Sequence, residues 1–264
     1  MSNRIDQLFR ERDKEILSIY ITAGYPGIND TPRLLRALQE HGADMVEIGI
    51  PFSDPLADGP VIQQSSQLAL QNGITLDLLF NQMKEIRKSV NIPLVMMGYL
   101  NPVLQMGVER FLSRCRDTGI DGVIIPDLPP AEYESHYLEL FRSYGIYNSL
   151  LVTPHTDDTR IRQIAALSEG FLYLVAASST TGARTSVGDQ QRDYFQRLKM
   201  MKLQIPGLIG FGISNRPTFL TACKYARGAI IGSAFIEALG AENSLSIEER
   251  VERFMGEIRG KNPA

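Results

Sequence analysis

Eight short apolar runs recur along the chain, most of them holding or followed by Gly, Pro or Asp and leading into a longer amphipathic stretch. They are ILSIYITAG (16–24), MVEIGIP (45–51), PLVMMGY (93–99), GVIIPDLP (122–129), SLLVTP (149–154), FLYLVAA (171–177), GLIGFGI (207–213) and GAIIGSA (228–234). Continuous apolar runs of this length suit strands buried on both faces, as in a parallel sheet. Between them lie helical patterns, among them TPRLLRALQEHG, LDLLFNQMKEIRKSV, VERFLSRCRDTG, YESHYLELFRSYG, DTRIRQIAALSEG, QRDYFQRLKM and RPTFLTACKYA, several of which end in Gly. Eight strand–helix units within 264 residues predict the α/β class, as a (β/α)8 TIM barrel, with a doubly wound open sheet as the rival fold. An extra N-terminal helix at about 2–12 is expected to cap the barrel's bottom. With no linker or low-complexity segment, residues 1–264 are expected to form a single TIM-barrel domain.

The second run carries a glutamate. Barrel strands point alternate side chains into the lumen and toward the helices. Val46, Ile48 and Ile50 suit the helix side, so Met45, Glu47 and Gly49 are expected in the lumen. A carboxylate there is costly unless it is paired, hydrogen-bonded or protonated. It is either a satisfied structural acid or an acid–base group near the catalytic mouth. The loop that follows, Phe52 to Pro60, holds Asp54 and Asp58 among prolines that restrict it. Asp58 is a candidate partner for Glu47, although Asp residues beside Pro or Gly also simply make turns.

A distributed set of glycines points to a phosphate. The sixth run leads into SSTTGARTSVGDQ (178–190), with Gly182 after two threonines; a polar loop of this length reads as an active-site lid. The seventh ends in GFGIS (210–214) and the eighth in GSA, with Gly232 and Ser233. Glycines at the ends of the last two barrel strands, leading toward a helix, resemble the common barrel phosphate site, where backbone N–H groups face the anion. Tyr173 shares lumen parity with Phe171 and Val175.

Other chemistries find no support. A net charge of -3 gives no pull toward nucleic acid or membrane, and no apolar stretch approaches the roughly 20 residues of a membrane helix. The charged N-terminus lacks a signal-peptide core, so a cytoplasmic protein is expected. Cys115 and Cys223 have no paired spacing, and His41, His136 and His155 no metal spacing; a metal-free protein is expected. There is no P-loop, dinucleotide fingerprint or strand lysine placed for a Schiff base. Acid–base chemistry without a cofactor remains.

The stretch EIGIPFSDPLADGPVIQ closely resembles the signature of the tryptophan synthase alpha chain family. Similarity continues through YITAGYP, MGYLNPVLQMGVERF, GVIIPDLP, GFGIS and GSA. The resemblance implies a barrel that cleaves indole-3-glycerol phosphate to indole and glyceraldehyde 3-phosphate by a retro-aldol reaction. It also implies a beta chain partner, in an alpha2-beta2 complex, that receives the indole. Pyridoxal phosphate belongs to that partner, and no cofactor is expected in this chain. Carried over by position, Glu47 matches the family's acid–base catalyst, Asp58 its loop partner and Tyr173 its active-site tyrosine. Thr181, Gly182, Gly212, Gly232 and Ser233 match phosphate-binding positions, Phe211 an indole-contacting aromatic, and Tyr20, Met97, Tyr99 and Ile124 the apolar indole pocket. Pro51 to Pro60 matches the segment that abuts the beta chain. One departure is Ser179-Thr180, where the family commonly has Gly-Val; Thr181 and Gly182 follow unchanged, but lid closure loses a flexible glycine. A free-standing lyase and a non-catalytic activator of a beta chain stay open as alternatives.

Overall fold

The computed structural model describes residues 3–176, 189–210, 212–241 and 244–260. Within them lie nine parallel strands, eight inside the apolar runs and β5 just ahead of the fifth run: β1 (Ile16–Thr22), β2 (Met45–Gly49), β3 (Leu94–Met97), β4 (Gly122–Ile124), β5 (Tyr147–Asn148), β6 (Leu151–Val152), β7 (Leu172–Val175), β8 (Gly207–Gly210) and β9 (Gly228–Ile231). Their order is β5-β4-β3-β2-β1-β9-β8-β7-β6. The two ends of this series, β5 and β6, are halves of one segment. Its first half pairs with β4 and its second with β7. Between them, Ser149 N donates to Val123 O (3.0 Å) and Leu150 O accepts from Tyr173 N (2.9 Å). One strand therefore hands its pairing from one neighbour to the other, and the ring closes as eight staves. The barrel is the fold expected; the break in the fifth strand is not in the sequence pattern.

Strand parity separates two cores. Leu17, Ile19, Ile21, Val46, Ile48, Met96, Ile209 and Ile231 pack outward against the helices. Ile16, Met45, Val95, Ile124, Phe171, Tyr173, Leu208 and Ile230 form an inner cluster. The helix Arg4–Glu11, capped by Asn3, adds Ile5 and Leu8 to the inner set and so closes the bottom of the ring. A β-carbon at Gly122 or Gly170 would come within 3.1 or 2.9 Å of Ile5, so both glycines make room for that plug.

Two aspartates fasten the bottom. Asp44, just before β2, accepts from Leu17 N (2.8 Å) and pairs with Arg12 and Arg259. Asp121, just before β4, accepts from Leu94 N (2.8 Å) and pairs with Arg4 and Arg87. Each ties the start of the preceding odd-numbered strand to distant chain segments, and each buried charge is matched.

Two helical patterns differ from their expected form. LDLLFNQMKEIRKSV forms a helix only over Leu76–Met83, followed by a tight turn at Ile86–Lys88 from which Arg87 reaches Gly119 O, Ile92 O and Asp121. YESHYLELFRSYG opens with a wide turn over Tyr133–Tyr137 before the helix Leu138–Tyr144, with Tyr133 buried edge-on against Phe141. Helices Pro60–Gln71, Ser233–Ala241 and Ile247–Arg259 complete the units after β2 and β9.

Candidate active site

Glu47 sits in the lumen at 0% exposure, as its parity predicts. Ser18, from β1, donates to Oε1 at 3.1 Å. The other oxygen, Oε2, is buried and has no partner among the described residues. Asp44 and Asp121 show what a structural acid looks like in this molecule, with guanidinium and backbone donors around the carboxylate. Among the described residues Glu47 has no counter-charge. Burial pushes its pKa up to about 8, against a downward pull from the Ser18 bond. It is thus largely protonated at neutral pH and ready both to give and to take a proton.

The loop after β2 is held in place by Tyr99, which follows β3. Its hydroxyl accepts from Ala57 N (2.9 Å) and donates to Asp58 Oδ2 (3.2 Å). Phe52 stacks obliquely on the Tyr99 ring at 5.2 Å, and Gln63 donates to Asp58 O (2.9 Å). Burial raises the Asp58 pKa while the Tyr99 hydroxyl draws it back by favouring the carboxylate. The Tyr99 phenol itself is pushed up to about 12, chiefly by burial, and stays a donor. Asp54 behaves differently: it is exposed and bonded to neighbouring Ser53, a turn residue.

The register sets a wall beside these carboxyls. Tyr20 pairs with Glu47, and Thr22, Gly49, Met97 and Ile124 share one level across β1 to β4. A β-carbon on Gly49 would overlap the Tyr20 hydroxyl, and one on Gly210 would overlap that of Tyr173. Both phenols therefore lie against a bare backbone on the next strand. Burial raises both pKa values, and the charges of Glu47 and Asp58 add to the effect, so the phenols remain neutral.

The ends of β8 and β9 carry glycines. Gly212 has φ +76, with nothing among the described residues within 4 Å of where a β-carbon would stand. Ser233 opens the helix Ser233–Ala241 and is exposed, and Gly232 lies behind it against the Tyr20 ring. Glycine backbone and a helix N-terminus on one rim are suited to an anion. Thr181, Gly182, Phe211 and the Ser179-Thr180 departure lie outside the described residues. No group of three metal-ligating side chains occurs among the described residues, and no helix there is long and apolar enough to cross a membrane. Ser18 is the functional neighbour that the sequence reading passed over. Its signal was a small hydroxyl at lumen parity, on the same face as Tyr20 and Thr22.

The sequence model of the tryptophan synthase alpha chain family matches residues 7–261. The chain belongs to the tryptophan synthase alpha chain family. The tryptophan synthase alpha chain of Flavobacterium johnsoniae is 53% identical over 257 residues, covering 97% of this chain and 100% of that one. That of Bacteroides thetaiotaomicron is 50% identical, covering 91% and 94%. Tryptophan synthase subunit alpha from Legionella pneumophila superposes with a TM-score of 0.89 at 32% identity, covering 99% and 98%. A chain of the Pyrococcus furiosus tryptophan synthase complex gives 0.85 at 34%, covering 94% and 99%. The alpha chain's reaction is the lyase cleavage of indole-3-glycerol phosphate.

Proposed function

We propose that Glu47 and Asp58 carry out this cleavage, with Tyr173 beside them. Protonated Glu47 delivers its proton to C3 of the indole ring. Positive charge then develops at the ring nitrogen, where the Asp58 carboxylate stabilises it. The side-chain hydroxyl next to the scissile bond loses its proton to Glu47, now a carboxylate. As the aldehyde forms, the electrons of the C–C bond return to the ring and indole leaves. The proton count closes on Glu47. Tyr20, Met97, Tyr99 and Ile124, with Phe211, bound the indole. Gly212, Gly232 and Ser233, with Thr181 and Gly182, hold the phosphate.

This reading needs no cofactor in the chain. It places the chain in the cytoplasm as one catalytic barrel spanning residues 1–264. It also pairs the chain with a pyridoxal-phosphate-dependent beta chain as alpha2-beta2, an arrangement named for a Pyrococcus furiosus relative. Leu56, 94% exposed at the tip of the loop that carries Asp58, supports contact with a partner there.

The observation that carries the reading is a fully buried glutamate that, among the described residues, has no counter-charge and one uncommitted oxygen. The test is indole release from indole-3-glycerol phosphate by the purified chain, alone and with a tryptophan synthase beta chain, for wild type and Glu47→Gln. Slow release that rises with the beta chain and drops about 10²–10⁴-fold in Glu47→Gln is expected. Fast release without a partner marks a free-standing lyase. No release under either condition overturns the lyase reading and leaves an activator.

A further inference from the structure

Ser18 is at 0% exposure in the inner face of β1, with Ile16 and Met45 of the apolar inner cluster as near neighbours in sequence or register. A buried hydroxyl in such a place costs stability unless it is bonded, and a methyl-bearing residue would fill the space without that cost. Its acceptor is Glu47 Oε1. The strand register explains the reach: Ser18 lies opposite Met45 and Tyr20 opposite Glu47, so the serine stands diagonally across from the glutamate on the same face.

We propose that Ser18 is a positioning residue for the cleavage, holding Oε1 of Glu47 so that Oε2 alone gives and retakes the proton. The proposal rests on Glu47 being the acid–base group. A carboxyl fixed at one oxygen cannot swivel, and the same oxygen returns to the same place after each transfer. The serine hydroxyl donates to Oε1 in both states, to the carboxylate left after the first transfer and to the carbonyl-type oxygen of the acid whose proton sits on Oε2. It therefore serves both states without carrying a proton itself.

Among the described residues the titratable groups around Glu47 are Tyr20 on β1, Tyr173 on β7 and Asp58 in the loop after β2. The hydrogen bond that lowers the Glu47 pKa comes from Ser18. Because the Ser18 bond draws the Glu47 pKa down, its loss moves the titration to higher pH.

The test compares wild type, Ser18→Ala and Ser18→Thr. Indole release with saturating beta chain gives kcat and KM across the titration range. Carbon-13 NMR of labelled glutamate carboxyls, assigned with Glu47→Gln, follows Glu47 directly. For Ser18→Ala, kcat is expected to fall about 10- to 100-fold with little change in KM. The Glu47 titration is expected to move to higher pH, and Ser18→Thr, which keeps a hydroxyl in a strand-compatible side chain, to restore both. Wild-type turnover and titration in Ser18→Ala overturn the proposal, as does lost activity with no shift in titration. Should wild type release no indole, the lyase reading fails on that arm, while the NMR arm still decides whether Ser18 holds Glu47.

Discussion

Glu47 and Asp121 are both buried carboxyls, but Asp121 has two arginines and a backbone N–H around it while Glu47 has one serine. The difference predicts how stability depends on pH. The Glu47 pKa is raised from 4.5 to about 8, so across that interval the folded chain keeps a proton that the unfolded chain has released. The contribution of this group to stability is therefore full below 4.5 and is lost as pH rises through about 8. Glu47→Gln removes the ionising group. Its melting temperature should exceed that of wild type by several degrees above the titration of Glu47, with the gap closing toward acidic pH. Equal curves at all pH values would show that Glu47 is ionised without penalty. At this scale the sequence was informative because parity alone puts a charged residue among lumen positions. Ser18 was not legible in the same way: a serine in an apolar strand does not say which oxygen it meets until the register of β1 against β2 is known.

Among elements, the loop between β2 and the helix Pro60–Gln71 owes its shape to a residue of the next unit. Tyr99 holds both Ala57 and Asp58. Tyr99→Phe keeps the ring against Phe52 but removes the hydroxyl. It should lower kcat by about 10-fold while changing unfolding free energy by less than about 1 kcal/mol. Steady-state kinetics and denaturant titration check the two halves of that statement. The broken fifth strand carries a different signature. Asn148 is fully buried and neither atom of its amide has a hydrogen-bond partner among the described residues. Replacing it with Val, which matches the apolar side of the sheet where Val123 pairs with it, should stabilise the chain by about 1 kcal/mol in urea unfolding. The sequence run SLLVTP announced a strand, yet nothing in its composition marks the point where pairing passes from β4 to β7. That depends on closure of the whole ring.

At the scale of the molecule, the fastened end and the end of the proposed chemistry are opposite. The bottom holds the plug helix and the two arginine-fastened aspartates; the top holds the carboxyls, the tyrosine-anchored loop and the glycines after β8 and β9. Ile5→Ala should therefore cost about 3 kcal/mol of stability and leave kcat for indole release unchanged at temperatures where the variant is folded. A proportionate loss of kcat would show that the two ends are coupled. The barrel and its capping helix were legible from the repeat of apolar runs and the amphipathic start, since both depend on local patterning. The arginine fastening was not, because Arg259 and Asp44 meet across almost the full length of the chain.

Tyr20 lies on Gly49 and Tyr173 on Gly210, each phenol flattened against a strand that offers no side chain at that point. In both cases the glycine pairs with the residue two positions after the tyrosine, so the arrangement repeats in two separate parts of the ring. The bore of the catalytic mouth is thus gauged by two absent methyl groups. Adding one at either position would tip a phenol toward the barrel axis and narrow the aperture without altering Glu47 or Asp58. A chain of this kind retuned for a smaller or larger aromatic fragment would carry its adjustment at these two glycines and the tyrosines they admit.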